Sequence, residues 1–347
     1  MGLIDTHLNI NFFLRLYISL ALYTYISMGI AWLDTSSNTI LAIFSKLFVF
    51  FIPWMIHLKN LRAGLFMIGS LGCTLIYFNH DLIGSILLAF SIALISFLLK
   101  VDLTKTHHGS ISNVLAINYG TIISGIFLYF ITDRNIFSLA FAFIFITISC
   151  YEYIKHKRID SHPIKKNTPS LRKPSRKTLS WLFIGMTSGL NIYALFAFLS
   201  DYLFNYYGEL PSWYGLMVAL NSIIIVCIQT KMYQYLIHKS IYASLLFLAF
   251  GIGVMVCPNF FHAEYLIGSM LWVIVFSIFE CTNACLDYYS AQEKKLFSKD
   301  IGVGLGMGLA VILGRSMLSQ ETIAIVIFGI YLIGVLLYQK KGSTPFP

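Results

Sequence analysis

Long apolar runs separated by short polar breaks dominate this sequence, and they limit what the chain can fold into. Crossing the hydrocarbon of a bilayer as a helix takes roughly 20 apolar residues, and most of the runs are about that long. They predict an all-α polytopic membrane protein with about twelve transmembrane helices, because a helix satisfies its own backbone hydrogen bonds in lipid. The predicted helices cover 11–33, 37–56, 62–78, 82–99, 110–131, 135–154, 179–204, 211–235, 240–257, 264–287, 299–318 and 321–339.

Composition excludes a water-soluble globule. Apolar residues make up 58% of the chain and charged residues only 11%, whereas a soluble domain carries about 25% charged residues. A chain this poor in charge needs lipid as its solvent. We therefore expect an integral membrane protein, in a bacterial inner (cytoplasmic) membrane and in contact with membrane lipids.

The loop charges predict the orientation. Nine basic residues lie between Lys155 and Lys177, and Arg134 is the only basic residue of the predicted outer loops. Lys and Arg in short loops stay on the cytoplasmic side during insertion. Both termini are therefore predicted to be cytoplasmic.

The basic segment also predicts the domain organisation. Residues 1–154 form a first six-helix bundle, 155–178 a basic cytoplasmic linker and 179–347 a second six-helix bundle. The linker can act as a plain tether or attract anionic lipid headgroups. The net charge of +9 mostly reflects this linker and requires no nucleic-acid partner.

Several motifs of the second half resemble the major facilitator superfamily. The stretch YGLMVALN is followed by a glutamine, an acid lies within the tenth predicted helix, and the eleventh is rich in glycine. The resemblance implies two six-helix bundles, a secondary transporter that works as a monomer, and a family of exporters. It also implies helix-packing roles for Tyr214, Gly215, Asn221, Gln229, Gly304 and Gly308.

The first half departs from the pattern of this family. The loop between the second and third predicted helices is a conformational latch in the family, and Lys59, Arg62 and Gly64 are present here. The acid of that loop is missing, and so is the proline–glycine element of many drug–proton antiporters. A transporter-like protein without transport activity therefore remains an alternative.

Glu280 is the leading candidate for proton coupling. A charge inside the bilayer costs at least a few kcal/mol, and Glu280 lies well within a predicted helix, with Asn283 and Asp287 at i+3 and i+7 on the same face. A carboxyl group in a partly dry cavity can load and release a proton near neutral pH. Packing of an acid hydrogen-bonded to a neighbouring helix is the competing interpretation.

Other polar and aromatic side chains are predicted to line a substrate cavity. Lys46 lies near the middle of the second predicted helix, where an ammonium group pairs with an acid or binds an anionic substrate group. Asn191 follows Gly185 and Gly189, an arrangement that loosens a helix and turns polar groups toward a cavity. Tyr25 and Tyr193 are candidates to contact an organic solute, and ordinary packing is the alternative for both.

The sequence predicts a transporter and not an enzyme. No nucleotide-binding loop, serine-nucleophile motif or HExxH pattern is present, so no cofactor or metal is expected. We predict proton-coupled export of a small organic solute, such as a drug-like compound, siderophore or metabolite, with a proton or another coupling ion as partner. A membrane-embedded acyl- or glycosyltransferase is the alternative from another class.

Overall fold

The computed structural model describes residues 6–32, 35–104, 107–130, 133–159, 175–314, 316 and 319–339. Both ends of the chain and most of the predicted linker, 160–174, lie outside these residues. Within the described residues the regular secondary structure is helical, with no strand. The prediction of an all-α chain is confirmed for this part of the protein.

The first seven helices precede the linker. Their bounds are α1 Thr6–Trp32, α2 Thr35–Leu47, α3 Ile52–Met55, α4 Leu61–Tyr77, α5 Asp81–Leu103, α6 His107–Phe130 and α7 Arg134–Ile159. The remaining helices are α8 Arg176–Ile192, α9 Ser200–Tyr207, α10 Tyr214–Ile237, α11 Ile241–Met255, α12 Leu266–Glu280, α13 Thr282–Gln292, α14 Leu296–Gly314 and α15 Gln320–Tyr338.

Several helices have the length and apolar character of membrane spans. Seven segments of the described chain qualify, one of which is α12 and α13 taken together as Leu266–Gln292. An eighth span results if α8 and α9, bent by 45°, count as one. Shorter apolar segments are Ile10–Ile26 within α1, Thr39–Met55 from α2 through α3, and the whole of α4 and α11, Leu61–Tyr77 and Ile241–Met255. The membrane character is thus confirmed, while twelve crossings and the orientation of the termini stay predictions.

Three predicted helices are interrupted. The predicted helix 37–56 divides into α2, a 3-10 turn at Phe48–Phe51 and α3, where Pro53 lacks the N–H that a continuous helix needs. A π-helical segment at Leu195–Leu199 separates α8 from α9. α12 ends at Glu280 and α13 starts at Thr282, whose hydroxyl donates to the Phe279 main-chain oxygen at 2.7 Å.

The described chain divides into two compact units, Met1–Leu171 with Ser212–Val226 and Arg172–Pro211 with Cys227–Pro347. In the first unit α1 packs on α6, α2 on α5, and α4 on both α5 and α7. Serine hydroxyls join these helices: Ser70 donates to the Ala142 oxygen at 3.0 Å and Ser149 to the Ala63 oxygen at 2.8 Å. Such bonds suit helices that associate in lipid, where apolar surface alone gives little preference for a protein neighbour.

In the second unit α8 packs on α14 and α15. The contact between α8 and α14 is made by glycines on both sides. A Cβ at Gly185 or Gly189 would strike the Lys299 or Val303 main-chain oxygen, and one at Gly302 or Gly306 would strike the Leu182 or Met186 oxygen. Glycine therefore lets the two backbones touch, as small residues do in membrane helix pairs.

Candidate functional site

A buried ion pair lies at the connection between α13 and α14. The Lys299 ammonium lies 2.6 Å from the Asp287 carboxylate, and the two side chains are 1% and 9% exposed. Asp300, the next residue, is also buried. Charges removed from water need close partners to offset their desolvation, so this pair is a strong constraint on the packing of α13 and α14.

Asp287 is a candidate site residue in the sequence, whereas its partner Lys299 is not. The sequence predicts a helix that begins at 299, whereas α14 begins three residues earlier at Leu296. The lysine therefore lies one turn inside the helix and faces the protein. The available signal was an acid and a base on either side of one short connection, too common a pattern to assign a pair.

Polar side chains gather at the break between α12 and α13. Asn283 Nδ2 donates to the Glu280 main-chain oxygen at 3.0 Å and lies 3.5 Å from Asn191 Oδ1. Gln229 Nε2, from the second half of α10, donates to the Cys281 main-chain oxygen at 3.0 Å. The structure thus brings Asn191, Asn283 and Gln229 to the helix end that carries the half-buried Glu280.

Three other predicted cavity residues have different surroundings. The buried Tyr25 donates its hydroxyl to Ser138 Oγ at 2.9 Å, which joins α1 to α7. Tyr193 is buried at the end of α8 and packs its ring on Phe196, with centroids 5.5 Å apart. Lys46 is half-buried in the last turn of α2, where the helix dipole favours a cation. Their roles in a cavity stay predictions.

The residues that carried the family resemblance are mostly interior. Tyr214, Gly215 and Asn221 on α10 are buried, and a Cβ at Gly125 of α6 would lie 2.8 Å from the Gly215 main-chain oxygen. Gly304 and Gly308 are buried in α14, although Gly302 and Gly306 are the α14 glycines against the α8 backbone. The packing roles of the predicted set remain predictions.

The latch loop obtains an acid from another helix. Lys59 is exposed, while Arg62, in the first turn of α4, forms a salt bridge with Asp102 in the last turn of α5. The loop itself has no acid, but the fold places Asp102 of α5 beside its Arg62. Both side chains are partly exposed, so the pair contributes less than about 1 kcal/mol to stability.

The Glu293 carboxylate contacts three donor groups at one end of the second unit. The sequence does not mark this residue as a candidate. Its carboxylate accepts from Trp181 Nε1 at 2.9 Å and from the Tyr338 hydroxyl at 2.8 Å, and it lies 3.2 Å from Lys177 Nζ. Partial burial alone raises the pKa of Glu293, but these three donors outweigh burial and the pKa is lowered. The carboxylate thus joins the start of α8 to the end of α15.

Replacing Glu293 by glutamine is expected to lower the stability of the protein by less than about 1 kcal/mol at neutral pH, because the pair is partly exposed. The folded-state pKa is depressed, so the stabilisation is present above the unfolded pKa of about 4.3. It is lost as the pH falls through the folded value. Thermal unfolding in detergent from pH 7 to 3 should show the curves of parent and variant converging on acidification. A constant difference in stability at every pH would contradict the assignment. Lys177→Met removes one of the three donors and should lower the stability less than Glu293→Gln does.

Within the residues that the structure describes, no three His, Cys, Asp or Glu side chains lie close enough together to hold a metal ion. The absence of metal and cofactor stays a prediction.

Two solved structures share this arrangement of helices. The nucleoside transporter NupG superposes with a TM-score of 0.61 at 12% identity, covering 95% of this chain and 99% of that chain. The peptide transporter POT gives 0.58 at 10% identity, covering 97% of this chain and 95% of that chain. No protein-family model and no curated protein matches the sequence.

At such identities the likeness shows the fold alone. The chain is an integral membrane protein that shares the fold of these two transporters. The all-helical membrane fold expected from the sequence is therefore confirmed for the described residues, while two six-helix bundles and export stay predictions.

Proposed function

We propose that this protein is a secondary active transporter that moves a small organic solute across a membrane by alternating access. The fold carries the proposal, because it covers nearly the whole chain and is shared with a nucleoside transporter and a peptide transporter. The solute class of the proposal includes drug-like compounds, siderophores and metabolites. Export is the proposed direction, on the resemblance of the motifs to exporters of the superfamily.

Proton movement is the proposed driving force, with Glu280 as the group that loads and releases the proton. The carboxyl group is half-buried at the end of α12, beside amide side chains and a break in the helix. Asp287, on the following helix, is the second carboxylate of the proposal and is ion-paired with Lys299.

The proposed topology has twelve crossings, both termini in the cytoplasm, and a monomer in a bacterial inner membrane. Eight long spans, counting the bent pair once, together with the four shorter apolar helices, give the number predicted from the sequence. The basic residues of the linker and the acidic predicted outer loops support the orientation.

Glu280→Gln is the variant that tests proton coupling. In proteoliposomes with an imposed proton gradient, we expect uphill movement of a transported solute to fall at least tenfold, because glutamine cannot titrate. Exchange of the same solute without a gradient should continue, since that process needs no net proton movement.

The matched control is Glu209→Gln, which removes an exposed acid between α9 and α10 and should transport like the parent. Protease cleavage of the basic linker reports how many molecules present their cytoplasmic side. Uphill transport by Glu280→Gln equal to that of the parent at every pH would refute the proton site. Absence of flux for every solute of a broad panel would instead favour a transporter-like protein without transport.

A further inference from the structure

Four buried polar side chains near the two helix breaks of the second unit have an atom without a hydrogen-bond partner among the described residues. The atoms are Asn191 Nδ2, Gln229 Oε1, Asn283 Oδ1 and Ser188 Oγ. Their residues are between 0% and 7% exposed. Leaving a buried polar atom unpaired costs about 1–3 kcal/mol, so four in one region call for an explanation.

The contacts already made by these side chains show which hydrogen bonds remain open. The amide nitrogens of Asn283 and Gln229 donate to the main-chain oxygens of Glu280 and Cys281, at the end of α12. Those bonds fix both amides with their oxygens available as acceptors. Asn191 accepts from Asn283 through Oδ1, which leaves its own Nδ2 as a donor.

The Asn191 donor faces a glycine of α11. A Cβ added at Gly251 of α11 would lie 2.8 Å from Asn191 Nδ2 and 3.0 Å from Phe279 Cβ. A side chain at residue 251 would collide with the amide, so the glycine keeps this part of α11 bare where it faces the Asn191 donor. Ser188, one helical turn before Asn191, adds a hydroxyl on the same side of α8.

From this arrangement we propose that the Asn191–Asn283 cluster binds the amide-like edge of a solute. Such an edge, found in carboxamides, lactams and nucleobases, carries an acceptor and an N–H donor next to each other. The acceptor receives the Asn191 N–H and the donor bonds to Asn283 Oδ1. Gln229 Oε1 and the Ser188 hydroxyl accept or donate a further bond.

The unpartnered set favours a neutral group over an ion. It offers donors and acceptors together, whereas an anion would need donors alone and a cation acceptors alone. A site built for hydrogen bonds also discriminates strongly against a solute that lacks them, because its buried polar groups are then left unpaired. This inference rests on the proposed function and specifies the chemistry of the solute.

The test compares matched compounds on the unsubstituted full-length protein in detergent, by ligand-induced thermal stabilisation. The pairs are uracil with 1,3-dimethyluracil, and benzamide with N,N-dimethylbenzamide, where methylation removes the N–H donor. At least one N–H compound should raise the melting temperature with a concentration dependence, and its methylated partner should bind at least tenfold more weakly. Equal shifts within both pairs, or no shift with any compound, would overturn the proposal and assign the cluster to bound water.

Two variants test whether the N–H compounds bind at the Asn191–Asn283 cluster. Asn191→Leu should weaken binding about tenfold, or ~1.4 kcal/mol, and Ser188→Ala should weaken it less. The control Asn118→Leu replaces a buried asparagine of α6 whose amide donates to the Val114 oxygen of its own helix, and should bind like the parent. Unchanged binding by both cluster variants would also refute the site.

The binding measurement and the transport assay can fail independently of each other. Stabilisation by an amide without flux of any solute would keep the binding site and reject the transporter. Flux of solutes that carry no amide-like edge, without stabilisation by any N–H compound, would do the reverse.

Discussion

Lys299→Met is expected to lower the stability of the protein by roughly 3–5 kcal/mol, because it leaves a buried carboxylate without its lysine. Lys299 is 1% exposed and its ammonium lies 2.6 Å from Asp287. Methionine fills a similar volume, so the loss reports the charge more than the packing. Thermal unfolding in detergent and the yield of monodisperse protein are the measurements.

The double variant Lys299→Met, Asp287→Leu separates the ion pair from its surroundings. Removing both charges should recover most of the stability, since a buried pair often contributes little more than apolar residues of equal volume. If Asp287 also takes part in coupling, the double variant will be stable yet transport poorly against a gradient. The control Lys295→Met removes a partly exposed lysine that donates to Thr178 and should cost less than about 1 kcal/mol. A single variant as stable as the parent would contradict the buried pair.

Gly306→Val is expected to prevent close packing of α8 on α14. A Cβ at Gly306 would overlap the Met186 main-chain oxygen and lie 2.9 Å from its Cα. Backbone atoms cannot rotate away as a flexible side chain does, so the helices themselves must separate. Overpacking of a core commonly costs about 1–3 kcal/mol, and we expect the upper end of this range, together with a lower yield of folded protein.

Gly329→Val on α15 is the matched control. A Cβ at Gly329 would meet no atom of a neighbouring described helix within 4 Å, so the same substitution should change the melting temperature little. The prediction fails if both variants unfold at the same temperature as the parent. It also fails if both lose stability equally, because the cost would then come from valine in a helix and not from the α8–α14 contact.

The positions of the helices could be predicted from the sequence better than the breaks within them. Apolar runs are a property of consecutive residues, so the helices were predicted within a few residues of their observed ends. The sequence predicts a loosened helix around Asn191, close to the break after Ile192, but not the π-helical segment that follows. The break after Glu280 is not predicted, because hydropathy does not register a hydroxyl that bonds to the main chain three residues before it. Among the candidate site residues, Glu280, Asn283 and Asn191 were found as polar residues in apolar surroundings.

The partners of these residues could not be found in the same way. Lys299 looks like one more inner-loop lysine, and Glu293 like one acid in a basic loop. Asp102, at the end of α5, is forty residues from Arg62. Each of these contacts joins different helices, and no local pattern states which helices are neighbours.

The sequence by itself determined that this protein lies in a membrane as a set of apolar helices, because burial in lipid acts on each segment separately. Its loop charges predict an orientation for the same reason. Only the tertiary structure decided which polar groups meet: Asp287 with Lys299, Glu293 with Trp181 and Tyr338, and Asn191 with Asn283. These pairings depend on the packing of helices such as α8 on α14, where a backbone-to-backbone contact sets the distance between side chains far apart in the chain.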